Sequence, residues 1–195
     1  MNMEKKIPFD PVVMLIDASY LNRVGNDLKA HFAPIVKREL PKADLAVLLE
    51  CLALDAGIPL GEGKVQVIFI YDGASRRFTF CTPSDLEKEI HSMAFKSKLG
   101  EFSLYAFQPS EFAAREDLFF ESLQLVGESK EARWVIVVPD EDGYGSRMGD
   151  YINKVEKKDS ITVFGMNPPA CTGGFTFEML GFAVLQSLGI RADEL

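Results

Sequence analysis

Five apolar runs of strand length recur along this chain, with stretches of helical character between them: "VVMLI" (12–16), "KVQVIFIY" (64–71), "FSLYAF" (102–107), "RWVIVV" (133–138) and "ITVF" (161–164). They are apolar almost throughout instead of alternating with polar residues, the pattern of strands buried on both faces of a parallel sheet. A long mixed segment from Tyr20 to Leu40 follows the first run. "ADLAVLLECLALDAG" (43–57) reads as a buried helix ended by its glycine. "TPSDLEKEIHSMAF" (82–95) predicts a helix capped by Thr82, with Pro83 at its first position. "SEFAAREDLFFESLQLV" (110–126) predicts an amphipathic helix with Phe112, Phe119, Leu123 and Val126 on one stripe. A helix around 146–158 and an apolar helix over "FTFEMLGFAVLQSLG" (175–189) complete the series. The expected class is therefore α/β, a mainly parallel sheet with helices on both faces in three layers. A length of 195 residues suits one domain spanning 1–195, with 166–195 as a C-terminal loop and apolar helix.

Composition narrows the functional classes. A hydrophobic fraction of 47% with 15 Phe fits a packed core and not a disordered chain. The net charge of −8 repels phosphate, so nucleic-acid binding would need a local basic patch or bound cations. Cys51, Cys81 and Cys171 are scattered and odd in number, which fits a reducing cytoplasm better than a disulfide or zinc framework. Pro8, Asp10 and Pro11 interrupt the N-terminal segment, and the 12–16 run is too short for a signal h-region or a membrane span. A soluble, cytoplasmic protein without membrane contact is expected.

Three of the strand-like runs end in acids: Asp17 after "MLI", Asp72 after "FIY", and Asp140 with Asp142 in "VVPDED". In an open parallel sheet the carboxyl ends of the strands share one edge, where ligands bind. Carboxylates gathered there repel unless a cation neutralises them or some keep their protons. Oxygen-only donors suit Mg²⁺ or Mn²⁺, ions that activate water in phosphodiester displacement. The same residues have a plainer role, because Asp after a strand often caps the next helix or sets a turn. An EF-hand loop beginning at Asp140 fails, since its twelfth position is Tyr151. Arg76 and Arg77, following Asp72, with Lys96 and Lys98 further on, offer a candidate phosphate-binding face or an ordinary solvated surface. His31 and His91 have no evident nucleophilic partner.

"VVMLIDASYLN" and "WVIVVPDEDG", with "SITVFG" after the next helix, resemble the strands of NYN domains, the PIN-like metal-dependent ribonucleases. The likeness covers roughly residues 12–166 and implies a PIN-like, Rossmann-like three-layer sandwich. It implies Asp17, Asp140 and Asp142 as ligands of Mg²⁺ or Mn²⁺, with a further acid early in the helix before the paired-Asp strand. Glu116 or Asp117 stands at that place, and Asp150 with Tyr151 is an alternative acid–aromatic pair. Asn22 or Asp72 would orient water or a ligand, and Arg76 or Arg77 would meet phosphate. Three positions depart from the family pattern: Tyr20 replaces its Asn, Val138-Pro139 its Ser-Gly, and Gly143 its aromatic.

Two functions follow as expectations. One is an Mg²⁺- or Mn²⁺-dependent endoribonuclease acting on RNA. The other is a catalytically inactive PIN-like domain that binds protein or nucleotide. The apolar C-terminal helix is expected to be either buried or the surface of a homodimer.

Overall fold

A computed structural model describes residues 8–61, 63–155, 157–169 and 173–195. The N-terminal seven residues, Cys171 and the middle of the 165–174 loop thus lie outside the described residues. The class is the one expected: α/β, with a seven-stranded sheet between two helical layers.

Strand β1 (Val12–Asp17) sits near the middle of the sheet and is buried along its whole length. Parallel to it on one side run β3 (Gly63–Ile70) and β6 (Gly100–Phe107), with β5 (Ala94–Ser97) antiparallel at the edge. On the other side run β7 (Trp134–Val138), β8 (Ser160–Gly165) and β9 (Thr176–Met179), all parallel. Successive side chains of a strand face opposite ways. Met14 and Ile16 therefore join a core with helices α1 (Ala18–Val36), α2 (Leu45–Asp55) and α6 (Leu180–Ser187). Val13 and Leu15 join a second core with α3 (Arg115–Glu128) and α5 (Met148–Ile152). Two buried faces explain why the strands read as unbroken apolar runs.

The helices closest to the sheet need close backbone approach. A Cβ on Gly25 of α1 would lie 2.4 Å from the ring of Phe80, so only glycine fits there. Five of the eight residues of α6 are buried, and this helix packs on α2, with Phe182 left exposed. Among the described residues no helix is long and apolar enough to cross a membrane.

Several local expectations are corrected. The segment 82–95 is not one helix. Cys81–Thr82 forms a two-residue strand, β4, beside Ala43–Asp44, β2. The Thr82–Pro83 peptide is cis, and the helix cap is Asp85, whose carboxylate accepts from the Glu87 and Lys88 N–H groups. Only one π-helical turn follows, Leu86–Ile90; Ser92 then turns the chain at φ 65° into β5. Helix α3 starts five residues after Ser110, because the Asp117 carboxylate accepts from the Ala114 N–H and sets the first turn there. Phe112 accordingly leaves the predicted stripe and is 99% exposed, while Phe119, Leu123 and Val126 are buried. The helix expected around 146–158 begins earlier and in pieces: α4 (Glu141–Tyr144), a 3-10 turn at Gly145–Arg147, then α5. The C-terminal segment spends its first residues as β9, where Phe-Thr-Phe-Glu-Met alternates with strand period, and only then becomes helical.

The chain steps outward from β1 through β3 to β6 in one direction, and from β7 through β8 to β9 in the other. The reversal falls between β1 and β7. Open α/β sheets bind ligands in the crevice at the carboxyl end of such a switch point.

Candidate functional site at the carboxyl edge

Asp17 ends β1, Asp72 lies just past β3, and Asp140 lies just past β7, so three adjacent strands deliver a carboxylate to one edge. Two of the three also cap helices. Asp17 Oδ1 accepts from the Tyr20 N–H at 3.0 Å and opens α1. Asp140 Oδ1 accepts from the Gly143 N–H at 3.0 Å and opens α4. The capping role and the edge cluster therefore coexist in the same side chains. A Cβ at Gly143 would come within 2.8 Å of Asp140 Oδ2, which gives a steric reason for glycine where the NYN resemblance implied an aromatic.

The group between the three carboxylates is the guanidinium of Arg115, the first residue of α3. Its Nε donates to Asp17 Oδ2 at 2.9 Å, its Nη1 to Asp72 Oδ2, and its Nη2 to Asp140 Oδ2 at 2.9 Å. A second arginine, Arg23 of α1, donates through Nη2 to Asp140 Oδ1 at 3.1 Å and to Asp142 Oδ2 at 2.9 Å. Tyr144 donates its hydroxyl to Asp17 Oδ2 at 2.5 Å. Next to them Glu141 binds the loop after β8: it accepts from the Met166 and Asn167 N–H groups and from the Tyr20 hydroxyl at 2.7 Å.

Asp17 is completely buried, and burial raises its pKa above the ordinary value even though Tyr144, Arg115 and the Tyr20 N–H all favour the charged form. Burial likewise opposes the charge of Arg115, but Asp17, Asp72 and Asp140 outweigh it and its pKa stands above the ordinary arginine value. The Tyr144 hydroxyl is pushed up, by burial first and then by the Asp17 charge, so it stays a proton donor. The cluster is a preorganised ion-pair centre in which three carboxylates share one guanidinium, each through a different nitrogen. As an all-oxygen donor set it suits a hard divalent cation, with Arg115 now in the position between the acids. Among the described residues no three His, Cys, Asp or Glu side chains close up as a ready metal-ligand group.

The remaining sequence candidates fall elsewhere. Asp142 stands at the rim, 71% exposed and held by Arg23. Asn22 does not reach the acids; its Oδ1 accepts from the N–H and hydroxyl of Thr79. Asp117 serves the start of α3, Glu116 pairs with Arg147, and Asp150 is exposed. Arg76 pairs with Glu87 and Arg77 with Asp85, beside the π-helical turn. Lys96 is on edge strand β5, three strands away from β1, and Lys98 follows it. His91 packs by Tyr105 and Phe107, with Nδ1 accepting from the Ala106 N–H. Sequence reasoning missed Arg115, Arg23, Tyr144 and Glu141. A usable signal existed for Arg23: a converging set of acids needs counter-charges, and this arginine lies in the helix that follows Asp17 directly.

One family model, described as a family of unknown function (DUF6621), matches residues 6–195. The chain belongs to the DUF6621 family. No curated protein and no solved structure matches it.

Proposed function

We propose that this DUF6621 chain is a PIN-like domain of the NYN type that cleaves RNA with Mg²⁺ or Mn²⁺ at the carboxyl edge. The observation that carries this reading is the convergence of Asp17, Asp72 and Asp140 from three neighbouring strands at the switch point of the sheet. Those three carboxylates are the ligands, and Asp142 is a rim acid in place of a direct one. Asp17, Asp72 and Asp140 would hold the divalent ion, which would supply an activated water and offset charge on the phosphodiester. Arg23 replaces Arg76 and Arg77 as the phosphate contact, since it is half-exposed beside Asp140 and Asp142 at the edge, whereas the other two lie by the π-helical turn on Glu87 and Asp85. The Asp17 and Asp140 caps hold both ligands rigid on helix starts, the kind of support a catalytic carboxylate requires. A cytoplasmic location goes with this reading.

The test is cleavage of a single-stranded RNA at saturating Mn²⁺ by the wild type and by Asp140→Asn. Cleavage by the wild type alone is expected; equal rates in the two proteins would remove the assignment. A second reading, a catalytically inactive domain that binds protein or nucleotide, is favoured by the guanidinium of Arg115 between the acids. It expects Mn²⁺ to leave the melting temperature of both proteins unchanged.

A further inference from the structure

We propose that a cavity at the amino ends of β8 and β9 binds a nucleoside monophosphate, with the phosphate on Lys157 and the base against Phe175. The site is separate from the carboxyl-edge cluster, because Ser160 opens β8 at the edge opposite Gly165, so it does not rest on the metal reading. The cavity exists because one helix is short. Helix α5 ends at Ile152 and β8 begins only at Ser160, so a margin of the second core is left uncovered there. The space measures about 520 Å³, within the roughly 300–1,000 Å³ of small-molecule sites. Its walls divide by chemistry. Ile152, Ile161 and Phe175, which pack with the second core, give an apolar floor. Asn153, Ser160 and Thr176 add amide and hydroxyl groups suited to a ribose and the edge of a base. An aliphatic chain would displace water from those groups and leave them unpaired. The rim is cationic in a chain of net charge −8. Lys157 is exposed, while Lys158 donates to the Ser129 carbonyl and is held against the wall. Asp159 is the one acid among the described lining residues, and Arg133 takes it, with Nη2 donating at 2.6 Å. The rim therefore presents positive charge to an anion. Floor, neutral polar groups and rim match a base, a ribose and a phosphate in turn.

The experiment follows the backbone amide resonances of the whole chain during titration with AMP, adenosine and inorganic phosphate. Shifts are expected at Ser160, Ile161, Gly174 and Thr176, with AMP held more tightly than either fragment. Lys157→Glu is expected to weaken AMP binding about tenfold or more, since a hydrogen bond between charged groups is lost and a repulsion gained. The same variant is expected to leave adenosine unchanged. Phe175→Ala is expected to weaken AMP and adenosine together, because it removes the surface on which the base stacks. Lys96→Glu makes the same charge change on β5, at the opposite end of the sheet from β9, and is expected to leave AMP binding as it was. No shift at millimolar AMP, or shifts confined to the carboxyl edge, overturns the proposal. Adenosine or inorganic phosphate binding as tightly as AMP does so too. Equal losses in Lys96→Glu and Lys157→Glu also overturn it, since net charge alone would then account for the binding. Lys157 is exposed, so its variant keeps the fold and decides the question even should Phe175→Ala fail to fold.

Discussion

Two arginines of this molecule fork onto carboxylates in opposite settings. Arg115 meets Asp17, Asp72 and Asp140 at the carboxyl edge, where Asp17 has no exposure and Arg115 itself only 19%. Arg38, just past the end of α1, meets Glu194 near the C-terminus through Nε at 2.8 Å and Nη2 at 3.1 Å, and adds the Gly189 carbonyl at 2.9 Å. The geometry of the second pair is the cleaner one, a two-to-two fork on a single carboxylate. Energetically the first matters more. At the surface, water solvates either partner left alone and salt screens the attraction. Within the edge cluster, a partner removed leaves a buried charge without compensation. Good geometry therefore does not rank these two centres; what replaces a lost partner does.

The largest break in that comparison is Arg115→Met. It leaves Asp17 buried without a cation and Asp140 with Arg23 alone, and is expected to cost about 3–5 kcal/mol, read from urea unfolding. That is a large share of the roughly 5–15 kcal/mol typical of a domain. A loss no larger than that of Arg38→Met would show that the edge relaxes by admitting water, and the contrast between the two centres would collapse. Tyr144→Phe is next. It removes the 2.5 Å hydroxyl bond to Asp17 while keeping the ring against Phe119 and Phe120. A hydrogen bond to a charged group contributes about 1.5–3 kcal/mol, and the urea midpoint should fall by that share. An unchanged midpoint would mean that Asp17 is already satisfied by Arg115 and the Tyr20 N–H.

The same contrast separates what the sequence discloses from what it hides. Strands β1, β3, β7 and β8 are legible because burial on both faces writes itself as apolar runs, and β6 because its buried Phe102, Leu104 and Ala106 alternate with less buried residues. Asp17, Asp72 and Asp140 follow from them, since the end of a parallel strand fixes which edge a residue reaches. Arg115 was hidden by its neighbours: Glu116 and Asp117 looked like the site acids. Which residue of the first turn faces the cluster depends on where α3 starts, and that is set by the Asp117 to Ala114 bond, not by the helix-forming run. The short strands β2, β4, β5 and β9 are equally illegible. Two to four residues carry little periodicity; β5 and β9 pair on the open edges of the main sheet, and β2 and β4 pair with each other. In 82–95 the helical propensity of "DLEKEI" is real but local. The Asp85 cap and the positive φ at Ser92 limit it to one turn.

The smallest effect sharpens the comparison most, because the two centres respond to acid with opposite sign. Glu194 has its pKa held down to about 2, first by the Arg38 hydrogen bond and then by the Arg191 N–H. Between its ordinary 4.5 and about 2 the unfolded chain carries a proton that the folded one lacks, so its contribution is complete above 4.5 and is lost as pH falls toward about 2. Asp17 is raised above its ordinary 3.8, chiefly by burial. Just above 3.8 the folded chain keeps a proton that the unfolded chain has released, so this contribution is greatest in acid and declines as pH rises. Urea midpoints followed from about pH 2 to about pH 7 separate the two groups. Glu194→Gln is expected to flatten the acid limb at low salt, and high salt is expected to do the same to the wild type, because this pair is screened. Asp17→Asn is expected to leave that limb intact and to remove the decline just above 3.8. If Glu194→Gln keeps the full acid limb, the Arg38 fork contributes nothing measurable, and the limb comes from the other carboxylates held below their ordinary values, Asp85, Glu89, Glu131 and Asp159.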